Sequence, residues 1–179
     1  MSATVFLVDT LFSLYLMVVI LRLWLQLARA DFYNPMSQFV VKATHPIVGP
    51  LRRIVPSIGR LDTATLVLAI VVAALKLIAL GAMAGAGLNP VTILILAVIT
   101  VVKEALSLMF WVLLLRAILS WVSQGQSPID YVLHQLTEPF LAPIRRVIPP
   151  LGGLDLSVLI AIIALQFLQL LLQDTFRLY

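Results

Sequence analysis

The chain has 179 residues, of which 62% are hydrophobic and only 11% are charged. These proportions exclude an ordinary soluble domain and favour a protein embedded in a lipid bilayer. The net charge of +4 comes from 12 basic and 8 acidic side chains, so it reflects a shortage of acids and not a basic nucleic-acid surface. We therefore expect no direct contact with DNA or RNA.

The sequence contains no motif that is typical of an enzyme or a metal protein. The chain has no cysteine, which excludes disulfides, thiolate metal sites and a cysteine nucleophile. His45 and His134 are isolated, and neither a zinc-protease spacing, a glycine-rich phosphate loop nor a serine-hydrolase elbow is present. We expect a protein without enzymatic activity, cofactor or metal.

Four apolar stretches are long enough to cross a hydrocarbon layer about 30 Å thick. The first lacks the features of a cleaved signal peptide, so we expect it to be retained. The third is longer than one straight crossing requires, which indicates that it tilts, bends or protrudes. The sequence therefore predicts an all-α polytopic membrane protein with spanning helices at about 5–28, 61–86, 91–122 and 155–174.

A 19-residue polar motif occurs twice, from Thr44 to Asp62 and, 93 positions later, from Thr137 to Asp155. Nine of its positions are identical and most of the others exchange one aliphatic residue for another, which indicates an internal duplication. We therefore divide the chain into a first repeat at 1–88 and a second at 89–179. Each repeat is predicted to hold two spanning helices as a hairpin.

The segments 35–60 and 128–154 carry these motifs and are interpreted as amphipathic stretches at the membrane surface. A short helix is expected from Pro35 to Lys42, after which Pro46, Pro50 and Pro56 are expected to prevent a long uninterrupted helix. The paired arginines make a bilayer crossing costly. A segment lying flat at the interface satisfies both constraints.

The distribution of cations predicts the topology. The first motif segment and its flank carry five basic residues, the second carries two, and the connector between the second and third spans carries none (Arg29, Lys42, Arg52, Arg53 and Arg60; Arg145 and Arg146). The positive-inside bias places both motif segments in the cytoplasm and both termini outside. The two repeats then share one orientation, as a parallel duplication.

Two structural ion pairs are predicted where the spanning helices meet the motif segments. Arg22 and Arg116 lie near the inner ends of the first and third spans, while Asp62 and Asp155 begin the second and fourth. An arginine inside the membrane needs an acceptor, so we pair Arg22 with Asp62 and Arg116 with Asp155. The alternative is two arginines among headgroups and two ordinary N-caps.

The motif arginines are predicted to bind anionic lipid headgroups, at about 1 kcal/mol each near an anionic surface. These residues are Arg52, Arg53, Arg145 and Arg146. The alternative is docking of an acidic partner or a nucleoid component. Further expected partners are a second copy of the chain, as a homo-oligomer, or other membrane proteins.

Charged side chains also fall inside the spans. Lys76 and Glu104 are opposite in sign and are expected to meet near the bilayer centre. One interpretation is an ion or proton path to which Lys103 and Asp9 contribute. The other, which we favour, is a buried structural ion pair, because four helices without polar runs leave little room for a pore.

A polar stripe runs along the fourth span. Gln166, Gln169 and Gln173 recur at i, i+3 and i+7, so they share one side of a helix. We expect this side to face protein and not lipid.

The repeated pattern of a spanning helix, Thr-x-Pro-x-x-x-Pro-x-Arg-Arg-x-x-Pro-x-x-Gly-x-x-Asp and a second spanning helix resembles the YggT family, also called YlmG. The resemblance covers nearly the whole chain as two copies of the family's unit. It implies an integral inner-membrane protein without established catalytic activity. Relatives are linked to tolerance of osmotic stress and ion imbalance, to cell division and nucleoid organisation, and, in plastids, to haem attachment on cytochrome b6.

Together these observations predict a non-enzymatic scaffold or modulator, with osmotic stress tolerance and ion homeostasis as the process that the resemblance implies. An oligomeric ion channel or transporter is the competing hypothesis. A further alternative is an assembly factor for membrane complexes or for cell division.

Overall fold

The structure is a computed structural model that describes residues 2–87, 89–122, 128–148 and 156–176. Within these ranges the chain is helical, with one isolated bridge between Ile58 and Leu61 and no strand. The expected all-α fold is confirmed. Six helices follow one another in the order α1 Ala3–Leu27, α2 Pro35–Ile54, α3 Thr63–Met83, α4 Pro90–Val122, α5 Pro128–Val147 and α6 Leu156–Phe176.

Four of these helices, α1, α3, α4 and α6, are long and apolar enough to cross a membrane, as the sequence predicts. Their ends lie within a few residues of the predicted ones. The 33-residue α4 is about 50 Å long at 1.5 Å per residue, well beyond a hydrocarbon layer of about 30 Å. The side chains of α1, α3, α4 and α6 that point outward are largely apolar, as a lipid-facing surface requires.

The two shorter helices, α2 and α5, contradict the expectation that their prolines interrupt the helix. Each runs for 20 residues through two internal prolines, Pro46 and Pro50 in α2 and Pro139 and Pro143 in α5. The two prolines of each helix are four residues apart and exposed, so their missing N–H groups leave unpaired carbonyls on the open face only. The buried face keeps its hydrogen bonds, and the helix continues.

Both short helices bury the same stripe of their sequence. In α2 this stripe includes Val40, Thr44 and Val48, and in α5 the residues 93 positions later, Leu133, Thr137 and Leu141. The six side chains are between 0% and 2% exposed. Burial of this stripe attaches each short helix along its length to the spanning helices beneath it.

The central element of the bundle is α4. The helices α1 and α3 form an antiparallel hairpin, and both also pack against α4, which on another side contacts α5 and α6. Buried leucine, valine and alanine side chains fill the space between α1, α3 and α4 (Leu16, Val19, Leu68, Val72, Ala97, Leu108 and Val112). The first helix of the second repeat thus packs against both repeats.

Two further contacts connect the first repeat to α5. The rings of Trp24 and Phe140 meet edge to face with centroids 6.0 Å apart. After α1 ends, the backbone N–H of Asp31 donates to the Oε1 of Gln135 at 2.9 Å. The short helix of the second repeat is therefore held by both halves of the molecule.

Candidate functional site

Arg22 anchors α2 to α1. Its side chain is buried, with 3% of its surface exposed, and its Nη1 donates to Thr44 Oγ1 at 2.7 Å and to the Val41 carbonyl at 3.4 Å. The Thr44 hydroxyl in turn donates to the Val40 carbonyl at 2.7 Å. One threonine hydroxyl thus accepts from the buried cation of α1 while it bonds to its own helix.

The second repeat builds the same contact between α4 and α5. Arg116 Nη1 donates to Thr137 Oγ1, and the Thr137 hydroxyl donates to the Leu133 carbonyl at 2.7 Å. Arg116 also has its Nη2 3.6 Å from Glu138 Oε2. Both short helices are therefore tied to a spanning helix through an arginine, buried in the first repeat and partly buried in the second, and the threonine that begins the repeated motif.

Asp62 connects the end of α2 to the start of α3. The Nη2 of Arg52 lies 2.5 Å from Asp62 Oδ2, and its Nε lies 3.3 Å from Oδ1. The carboxylate is buried, and it also accepts from the backbone N–H and the hydroxyl of Thr65, as an N-cap does. Arg52 donates further to Gln26 Oε1 at 3.2 Å.

This environment lowers the pKa of Asp62. Burial alone raises the pKa of a carboxyl, because it disfavours the charged form. The hydrogen bonds from Arg52 and Thr65 and the positive charge of Arg52 act in the opposite direction and outweigh burial, so the pKa lies below its usual value of 3.8. The structure thus favours an ionised Asp62.

The structure does not bring Arg22 and Asp62 together as an ion pair. Asp62 takes Arg52 as its partner because the connector after α2 folds back, which places the last turn of α2 beside the first turn of α3. Arg22 is satisfied instead by neutral oxygens of α2. Asp155 lies outside the described residues, so its pairing with Arg116 stays a prediction.

In the second repeat, the carboxylate of Glu138 lies within 4 Å of three basic side chains, those of Arg116, His134 and Arg145. Arg145 Nη1 donates to both of its carboxylate oxygens, at 2.9 and 3.1 Å, and Arg116 lies 3.6 Å away. The His134 Nε2 is 3.4 Å from Glu138 Oε2, one turn away along α5. The first repeat has His45 at the position of Glu138, so this cluster belongs to the second repeat alone.

The four motif arginines divide into two classes. Arg52 forms an internal ion pair with Asp62, and Arg145 forms one with Glu138. Arg53 and Arg146 are exposed at the ends of α2 and α5, and within the described ranges neither forms an ion pair. Arg53 and Arg146 are thus the two motif arginines without an ion-pair partner among the described residues.

A charged cluster lies inside the helical bundle. Lys76 of α3 is 9% exposed, with its Nζ 3.0 Å from Asp9 Oδ1, 2.8 Å from Ser13 Oγ and 3.9 Å from Glu104 Oε1. It therefore joins α1, α3 and α4, and one ammonium faces two carboxylates. Lys103, next to Glu104 on α4, is partly buried and makes no ion pair with a described residue.

Sequence reasoning missed the threonine acceptors and the Glu138 cluster. The signal for the threonines was available, since Thr44 and Thr137 begin the two copies of the motif and follow Arg22 and Arg116 by 22 and 21 residues. Glu138 gave no such signal, because the first repeat has histidine at its place. Its partners become adjacent only when α5 continues through its prolines.

With this geometry in view, comparison with known proteins identifies the family. The profile of the CCB3/YggT family matches residues 1–83 and again residues 95–176. The chain belongs to the CCB3/YggT family. The two matches fall on the two repeats, and the resemblance inferred from the duplicated motif is confirmed.

Bacterial members of the family match nearly the full chain, and a plant member matches part of it. A Vibrio alginolyticus protein named for the proC 3′ region is 59% identical over 176 residues, covering 97% of this chain and 95% of that protein. The YggT protein of Escherichia coli K12 is 48% identical over 169 residues, covering 92% and 86%. The chloroplastic YlmG homolog protein 2 of Arabidopsis thaliana is 41% identical over 54 residues, 30% of this chain and 22% of that protein. No solved structure matches the chain.

Proposed function

We propose that this protein is a non-enzymatic scaffold or modulator of the bacterial inner membrane, which engages anionic lipid headgroups and other membrane proteins through α2 and α5 on the cytoplasmic side. Osmotic stress tolerance and ion homeostasis are the processes that the resemblance implies. One observation carries the proposal. Two amphipathic helices of equal length are each tied to a spanning helix by a hydrogen bond between an arginine of that helix and a threonine.

The two arginine–threonine contacts, Arg22 with Thr44 and Arg116 with Thr137, support this role because they fix two exposed cationic surfaces relative to the bundle. Arg53 and Arg146 occupy equivalent places in the last turns of the two helices and carry no internal ion pair within the described chain. A cation near an anionic membrane surface contributes about 1 kcal/mol. The pair then contributes about 2 kcal/mol, which corresponds to roughly a thirtyfold preference for anionic over neutral lipid.

Native mass spectrometry of the detergent-solubilised protein tests this preference. The wild-type protein is expected to retain phosphatidylglycerol over phosphatidylcholine, and the double variant Arg53→Gln, Arg146→Gln is expected to lose most of that selectivity. The control is Arg29→Gln, Arg60→Gln, which removes the same charge from exposed residues outside the two helices. Equal loss in both variants, or no loss in either, contradicts the proposal.

The orientation is tested separately with single cysteines, since the chain has none of its own. Ser57→Cys lies in the exposed segment after α2, and Gly87→Cys lies in the exposed connector after α3. In intact cells, a membrane-impermeant maleimide is expected to label the cysteine at 87 and to spare the one at 57 until the membrane is opened. The reverse pattern contradicts a cytoplasmic α2.

An oligomeric ion channel or transporter is the second candidate, and the Lys76 cluster is the observation that favours it. One ammonium beside the carboxylates of Asp9 and Glu104 leaves an excess negative charge within the bundle, and such a site attracts a cation or a proton. Purified protein in liposomes separates the candidates. Selective flux that Glu104→Gln abolishes and Asp174→Asn preserves favours conduction over the scaffold role.

A further inference from the structure

The glutamine stripe of α6 lies at the depth of the hydrocarbon layer. Gln166 is ten residues from Leu156, where α6 begins, which places it about 15 Å along the helix and near the middle of a layer of about 30 Å. Gln169 and Gln173 follow on the same side. Gln166 is exposed and the other two are partly buried.

None of the three side-chain amides forms a hydrogen bond with any residue that the structure describes. For Gln169 the Nε2 atom is enclosed by the chain itself and has no partner, whereas the Gln166 side chain is exposed on the outside of α6. Each amide offers two N–H donors and a carbonyl acceptor. Lipid tails supply no partner, and each unsatisfied group there costs several kcal/mol.

The first repeat shows how the equivalent side of α3 is covered. In the first repeat, the counterparts of Gln166 and Gln169 are Ala73, which is fully buried, and Lys76, which bonds to α1 and lies beside Glu104 of α4. The counterpart of Gln173 is Leu80, which is partly buried. The helix α3 is therefore covered by α1 on one side and by α4, from the next repeat, on another. Among the described residues, the corresponding helix α6 packs chiefly against α4 and α5.

We propose that a second copy of this chain covers the open side of α6, through pairing of α6 with α6 about a two-fold axis along the membrane normal. All copies in one membrane share an orientation, so such an axis places each glutamine at the depth of its own counterpart. An amide both donates and accepts, which makes the stripe complementary to itself. This interface is independent of the lipid-binding role proposed above.

Disulfide crosslinking in native membranes tests the interface, since the chain lacks cysteine. Gln166→Cys is expected to give a dimer of the chain on mild oxidation. The control is Leu168→Cys, which is exposed at 45%, about 3 Å further along the helix and on nearly the opposite side. The proposal is overturned if both variants crosslink to the same extent. It is also overturned if Gln166→Cys forms adducts with other proteins only, or forms no dimer.

A second variant measures what the amides contribute. Replacing Gln166 and Gln173 by leucine is expected to raise the dimer dissociation constant by about 3- to 30-fold for each hydrogen bond lost between helices. Single-molecule photobleaching in lipid bilayers gives the dimer fraction, and the melting temperature of the solubilised protein reports folding. A dimer fraction that stays unchanged while the protein remains folded contradicts the interface.

Discussion

Arg52 and Asp62 form a two-point ion pair that joins the last turn of α2 to the first turn of α3, with the shorter contact at 2.5 Å. The Asp62 carboxylate is buried, while the Arg52 side chain is 41% exposed. The buried member determines the energetics, because it loses its hydration whether or not the arginine is present.

Replacing Asp62 by asparagine is expected to destabilise the folded protein by about 1–3 kcal/mol. Asparagine keeps the shape of the side chain but removes the charge that holds Arg52, and the partial exposure of Arg52 limits the loss. Thermal unfolding in detergent, followed by tryptophan fluorescence, measures the change. The control Asp174→Asn alters an exposed acid on α6 and is expected to leave stability unchanged; equal effects of the two variants speak against the pair.

The lowered pKa of Asp62 predicts a specific loss of stability in acid. A carboxyl whose pKa is lower in the folded state contributes stability that is fully present above its unfolded pKa of about 3.9. The contribution disappears as the pH falls through the folded pKa. Between about pH 5 and pH 3 the wild type is therefore expected to lose more stability than Asp62→Asn. Melting curves that shift in parallel across this range contradict the prediction.

The threonine hydroxyls are expected to stabilise both short helices. Thr44→Val and Thr137→Val keep the volume of the side chain but remove the acceptor of Arg22, which is buried, and of Arg116, which is partly buried, at a cost of about 1–3 kcal/mol each. Thr100→Val is the matched control, because Thr100 makes the same 2.7 Å bond to a carbonyl four residues back and accepts from no described arginine. The measurement is the protease sensitivity of α2 and α5. If Thr100→Val loses as much protease protection as Thr44→Val and Thr137→Val, the arginine–threonine contacts do not explain the stability of the short helices.

Lys76→Met is expected to destabilise the bundle by about 1–3 kcal/mol, because it leaves Asp9 and Glu104 in the membrane without their cation. Neutralising both acids as well, with Asp9→Asn and Glu104→Gln, is expected to restore part of the loss. The amounts of folded protein in membranes and its melting temperature in detergent give the two readouts. A triple variant less stable than Lys76→Met alone excludes the electrostatic explanation.

The spanning helices were predictable from the sequence because their signal is local. An apolar run of about 20 residues can be recognised without knowing what it packs against. The duplication shows the same order of spanning helices and motif twice in one chain. Even the excess length of α4 follows from counting residues between Pro90 and Val122. The confirmed part of the prediction therefore rests on length, composition and repetition.

The polar contacts were harder to predict because they depend on the course of α2. Expecting breaks at Pro46 and Pro50 left Arg52 at the membrane surface, far from Asp62, and made Arg22 the natural partner of that acid. A continuous helix carries Arg52 back to the start of α3. One error of local structure thus exchanged the partners of two arginines.

The proline pairs of α2 and α5 also limit how deeply these helices sink. The carbonyls of Lys42 and Pro46 lose the N–H groups of residues 46 and 50, and both face the open side of α2. A carbonyl without a hydrogen-bond donor costs several kcal/mol in the hydrocarbon layer, so that side of the helix has to remain hydrated. In each helix, therefore, the apolar side packs against the bundle, while the side that carries the unpaired carbonyls stays in contact with water and so sets the depth of the helix in the membrane.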